Sequence, residues 1–73
     1  MVKRYRYPRV RDLREDADMK QKEVGAYLGL QQHSYQRYES GELNLTLDHA
    51  IRLAELYHVS LDYLTENREL MEE

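Results

Sequence analysis

Apolar positions recur at three- and four-residue spacing along most of this chain, and no useful length alternates with period two. The pattern predicts an all-α fold of five helices, with strands unlikely. Val10, Leu13 and Ala17 form the inner face of a first helix over about 9–17, and Pro8 suits its first turn. Asp18 tolerates a left-handed backbone and can end it. A second helix over about 21–28 packs through Val24, Tyr27 and Leu28, and Gly29 supplies the positive φ that stops it. A third, over about 32–40, turns Tyr35 and Tyr38 to one side and stops at Gly41. Thr46 reads as the N-cap of a fourth helix over about 47–57, with Asp48 in its first turn. Its expected inner stripe is Leu47, Ala50, Ile51 and Ala54. Ser60 caps a fifth helix that starts at Leu61, with Leu61 and Leu64 facing inward. The charged tail over about 66–73 is expected to fray.

Within this frame the second and third helices stand out. Gly25 falls mid-helix, where glycine costs roughly 1 kcal/mol relative to alanine. Close approach of the third helix across the second supplies a packing reason. Gly29 then turns the chain, Leu30 plugs the core beneath the turn, and Tyr35 and Tyr38 pack the back of the third helix. That is a helix-turn-helix construction. The outer face of the third helix is Gln32, His33, Gln36 and Arg37. Long amide, imidazole and guanidinium side chains at this spacing match the donors and acceptors of base edges in a DNA major groove.

Length and charge sharpen this only in part. Seventy-three residues make one domain. Cysteine is absent, which removes disulfides and Cys-ligated zinc. No run is long and apolar enough for a membrane span or a secretory signal, so the expected compartment is the cytoplasm. The net charge of -3 conceals an asymmetry: residues 1–37 hold nine Lys/Arg against five Asp/Glu, and residues 38–73 hold two against nine. One half can face a polyanion that the other repels. The histidines His33, His49 and His58 are too scattered for a metal site, and Ser34 lacks an activating base. No enzyme activity, cofactor or metal is expected.

Leu13-Arg14, Gln21, Val24-Gly25, Leu28-Gly29-Leu30, Arg37-Tyr38-Glu39 with Gly41, and Val59-Ser60-Leu61-Asp62 with Leu64 together resemble the Cro/repressor-type (XRE) helix-turn-helix domain. The resemblance covers residues 9–65 or so and runs without a gap. It implies a compact five-helix bundle of the lambda-repressor-like DNA-binding type, and a sequence-specific transcriptional regulator that binds double-stranded DNA. It implies base readout by Gln32 and His33, joined by Gln36 and Arg37. It also implies phosphate contact by Gln21 and a structural ion pair between Arg14 and Glu39. Three departures matter. Lys20 and Gln31 replace the usual Ser or Thr at two helix starts, each at a capping cost of about 1 kcal/mol. Glu42 stands where the family often has a basic loop, leaving Ser34, Ser40 and Asn44 as neutral phosphate contacts. Finally, the arm over about 1–8 is basic, and Lys3, Arg4, Arg6 and the adjoining Arg9 are its expected DNA contacts.

The expected organisation is therefore this arm, a helix-turn-helix domain over 9–66 and an acidic tail over 67–73. A homodimer is expected through the C-terminal helix, with Tyr63, Leu64, Leu70 and Met71 supplying the contact. The alternative reading is an antitoxin or interaction module whose acidic C-terminal half binds a protein partner such as a toxin.

Overall fold

The computed structural model describes residues 4–66 and 68–71, with side chains described from Tyr7 to Glu66. Five helices follow the sequence pattern: α1 Pro8–Asp16, α2 Gln21–Tyr27, α3 Gln32–Ser40, α4 Leu47–Tyr57 and α5 Leu61–Leu64. Each stop has a local cause. Asp18 (φ 59°), Gly29 (φ 77°) and Gly41 (φ 85°) take the left-handed conformation that breaks the helical path. His58 does the same at the end of α4 with φ 58°, although it carries a side chain. The starts are capped as the sequence suggests at Thr46, which accepts from the backbone N–H of His49, and at Ser60, which accepts from that of Tyr63. Lys20 and Gln31 provide no side-chain cap. At α2 the deficit is half repaired, because the Glu23 carboxylate accepts the Lys20 backbone N–H at 2.8 Å.

One core holds the helices together. Val10, Val24, Leu28, Tyr35, Tyr38, Ala50, Leu53, Ala54 and Leu64 are all buried in it. The fourth helix is rotated relative to the stripe expected from sequence. Ala50, Leu53 and Ala54 face inward, whereas Leu47 and Ile51 are exposed. Apolar residues occupy more than half of this helix's circumference, so periodicity alone could not choose the buried side. Ala17 is likewise exposed, because it lies past the last turn of α1.

The ends of the chain add an element whose periodic signal is only the short alternation Arg4-Tyr5-Arg6-Tyr7. Arg4–Arg6 forms β1 and Arg68–Met71 forms β2, paired antiparallel as Arg4↔Met71, Tyr5↔Glu69 and Arg6↔Arg68 with an irregularity after Arg4. The arm, read from sequence as a DNA contact, and the tail, expected to fray, are joined here as a two-stranded ribbon, and β1 lies against α3. The C-terminal helix is a single turn. Leu64 is fully buried in its own core, and Tyr63 sits beneath the Arg9 guanidinium at 4.2 Å from the ring centre. Leu64 is therefore unavailable to the dimer stripe expected of it, while Tyr63 stays exposed. Leu70 and Met71 lie in β2, where side chains are outside the described set.

Gly25 is where α2 and α3 meet most closely. A Cβ there would stand 3.2 Å from the Leu30 carbonyl oxygen and 3.3 Å from the Tyr35 Cβ. Backbone and a fixed β-carbon give way poorly, so a branched side chain must push the third helix outward. Gly25→Val is expected to destabilise the domain by about 1–3 kcal/mol, the usual cost of overpacking, read as a lowered urea midpoint at unchanged slope.

Candidate nucleic-acid interface

The third helix has two unlike sides. Tyr35 and Tyr38 are buried, with ring centres 6.4 Å apart in an edge-to-face arrangement. Their hydroxyls are satisfied: Tyr35 donates to Glu39 at 2.5 Å, and Tyr38 lies 2.7 Å from Nδ1 of His49 on α4. Both rings are occupied as packing, which removes them as platforms for stacked bases. Gln32, His33, Gln36 and Arg37 are all exposed on the opposite side. The sequence expectation thus places four polar side chains on one accessible face of a helix whose back is locked into the core.

The lock is centred on Glu39. Arg14 reaches it with Nε at 2.6 Å from Oε2 and Nη2 at 3.2 Å from Oε1, a two-pronged pair. Arg14 also donates to the Met19 carbonyl at 2.9 Å. Burial pushes the Glu39 carboxyl up, but the hydrogen bonds from Arg14, Tyr35 and Gln21 outweigh it and hold the group below its ordinary value. The hydrogen bond to Glu39 likewise raises the Arg14 guanidinium, against the opposing effect of burial. The Tyr35 hydroxyl is pushed up, first by burial and then by its bond to Glu39. One carboxylate therefore joins α1, α2 and α3 and fixes the angle at which α3 is presented.

Gln21 belongs to this network. Its Nε2 donates to Glu39 Oε1 at 3.0 Å, so the side chain read from sequence as a phosphate contact turns partly inward. The second amide hydrogen and the carbonyl oxygen stay available. Ser40 is also partly engaged: its Oγ donates to the Arg37 carbonyl at 3.2 Å and accepts the Glu42 N–H at 3.4 Å. Asn44 is exposed and Ser34 half-buried. Arg37 is met by Glu42 at 3.5 Å, both side chains well exposed. Such a pair is worth about 0–1 kcal/mol and yields readily to a stronger anion.

Sequence reasoning passed over Arg11. It lines an open groove of about 320 Å³ together with Gln21, Gln36, Glu39 and Ser40. The signal was present: Arg11 precedes Arg14 by one turn, and Gln36 precedes Glu39 by one turn, so the pair Arg14–Glu39 brings Arg11 beside Gln36. Arg11 is exposed and holds Glu15 at 3.1 Å. Arg9 is lost to the interface instead. It binds Glu66 at 2.8 Å and the Tyr63 hydroxyl at 2.7 Å, tying α1 to α5. Arg4 and Arg6 lie on the backbone of β1, and Lys3 falls outside the described residues.

A family model described as Helix-turn-helix matches residues 10–64, which takes in all five helices apart from the first two residues of α1. The chain belongs to the helix-turn-helix family. Its helix-turn-helix is of the Cro/repressor (XRE) type. Among solved structures it is similar to the P22 c2 repressor in complex with a synthetic operator, at 22% identity and a TM-score of 0.71 over 80% of this chain and 88% of that one. It is also similar to a transcriptional regulator from Listeria innocua, at 24% identity and a TM-score of 0.78. That alignment covers 96% of this chain and 64% of the other. Both likenesses show the shared all-helical fold. No curated protein matches. Among the described residues no helix is long and apolar enough to cross a membrane.

Proposed function

We propose that this helix-turn-helix protein regulates transcription in the cytoplasm by laying α3 in the major groove of a specific duplex. The observation that carries this reading is the two-sidedness of α3. Gln32, His33, Gln36 and Arg37 are exposed together, while Tyr35, Tyr38 and Glu39 hold the same helix rigidly from behind. In that role Gln32 and Gln36 pair with adenine edges, Arg37 with guanine or a phosphate, and His33 donates or accepts according to the base.

Phosphates are held by Gln21, Ser34, Ser40 and Asn44, with Arg11 adding the charge that the 38–51 segment lacks. Arg37 exchanges Glu42 for the nucleic acid. In the basic arm Arg4 and Arg6, on the paired strand beside α3, approach the phosphate backbone, and Lys3 is the arm's third contact. The protein acts as a homodimer on half-sites about 34–36 Å apart, the spacing of one helical turn. Repeated rounds of capture from a random duplex pool test the reading. Enrichment of one short motif is expected, and a pool that stays random after several rounds refutes it.

A further inference from the structure

The exposed side of α4 is apolar where a solvated helix face is expected to be polar. Leu47 is 68% exposed and Ile51 41%, and they are neighbours one turn apart. Leu43, 39% exposed, precedes them in the segment leading out of α3. Among the described residues the other exposed large hydrophobic is Tyr63, which stands apart from this strip with the Arg9 guanidinium against its ring. Among the described residues none covers the α4 strip.

The charges beside this strip say what fits it. Asp48 and Arg52 each follow one of the apolar residues, so they form a second row alongside, and both are exposed. They stand one turn apart yet do not pair. Arg52 turns to Tyr27, 5.5 Å from its ring centre and 3.3 Å from its carbonyl oxygen. Asp48 has no ion pair among the described residues. When two copies of the face meet about a two-fold axis with their α4 helices antiparallel, Leu47 of each copy meets Ile51 of the other. The charged row then meets itself in reverse order. Asp48 of each copy faces Arg52 of the other, twice. A parallel arrangement puts the two charged rows on opposite sides of the seam, where they do not meet.

We propose that this face of α4, Leu47 and Ile51 flanked by Asp48 and Arg52, is the homodimer interface, occupied by a second copy of the chain. The inference deepens the dimer part of the proposed function. It places the two-fold axis next to the segment that joins α3 to α4, so the C-terminal ends of the two recognition helices approach that axis.

Sedimentation of the full chain tests it, with DNA binding as a separate arm. A reversible dimer is expected for the native chain. Leu47→Glu should weaken it at least about tenfold, the effect of about 1.4 kcal/mol, with an unchanged circular dichroism spectrum because the site is exposed. Asp48→Arg and Arg52→Asp should each weaken it, and the two together should restore it. Leu47→Glu should bind a half-site duplex like the native chain and lose cooperative binding to a two-half-site duplex. A native chain that stays monomeric, a dimer indifferent to Leu47→Glu and to both charge reversals, or an equal loss on half-site and full site would overturn the proposal. A dimer that responds as stated but binds no duplex supports the interface and removes the DNA reading alone.

Discussion

Glu39→Ala is expected to remove a large part of the domain's stability at room temperature. The substitution strands the half-buried Arg14 guanidinium and takes an acceptor from Tyr35 and Gln21 together. Removing one partner of a buried ion pair costs about 3–5 kcal/mol. A chain of this length has roughly 4–11 kcal/mol of stability at ~0.05–0.15 kcal/mol per residue. The loss is therefore a large part of the whole. Urea unfolding followed by circular dichroism reads it directly. Arg14→Met combined with Glu39→Leu should recover much of the loss, since an apolar pair leaves no buried charge unpaired.

The same carboxylate gives the domain a pH dependence with a definite sign. Glu39 is held below its ordinary value of 4.5, so the folded state binds its proton less readily than the unfolded state. The stability it contributes is fully present above that ordinary value and is lost as the pH falls through the depressed folded value. In Glu39→Ala this component of the acid transition should vanish. A native chain whose urea midpoint is unchanged by Glu39→Ala would show that the network does not hold α3.

Gln32→Ala should cost about 1–3 kcal/mol on the selected duplex, one bidentate base contact, and almost nothing on random duplex. Gln32 is exposed and outside the core, so its removal leaves folding intact and isolates readout from stability. The selected motif should also relax at one position only. Arg37 separates two roles by the same logic. Loss of preference at one base in Arg37→Ala assigns it to a base edge. A uniform loss with a salt slope lower by about 1 assigns it to a phosphate. If Gln32→Ala binds selected and random duplexes as the native chain does, α3 is not the reader.

Much of the fold was written in single residues. Gly29 and Gly41 sit at the left-handed stops their chemistry implies, and Thr46 and Ser60 cap the helices that follow them. Gly25 marked the α2–α3 approach because a mid-helix glycine needs a reason. The face of α4 was not legible, since Leu47 and Ile51 compete with Leu53 for the inside and only packing against α5 and the rest of the core decides. The ribbon was not legible either. Its strands are three and four residues long, the alternation Arg4-Tyr5-Arg6-Tyr7 is too short to mark a strand, and each strand depends on a partner at the far end of the chain.

At the site, the exposed row from Gln32 to Arg37 followed from helical spacing. The inward turn of Gln21 did not, because its partner Glu39 lies 18 residues away and only the folded geometry brings their side chains to 3.0 Å. The engagement of Arg9 by Glu66 and Tyr63 was hidden in the same way. A basic residue next to a basic arm reads as part of it until the fold supplies a carboxylate.

The most direct test of the central claim is a binding titration of the full chain on selected and random duplexes over a range of salt concentrations. Affinity for both should fall linearly with log salt, with a slope near −0.9 per phosphate neutralised. The selected duplex should stay the tighter at every salt, by a margin set by base contacts and therefore largely insensitive to salt. Equal affinity for the two duplexes throughout, or no binding to either at low salt, would contradict the claim that α3 reads DNA.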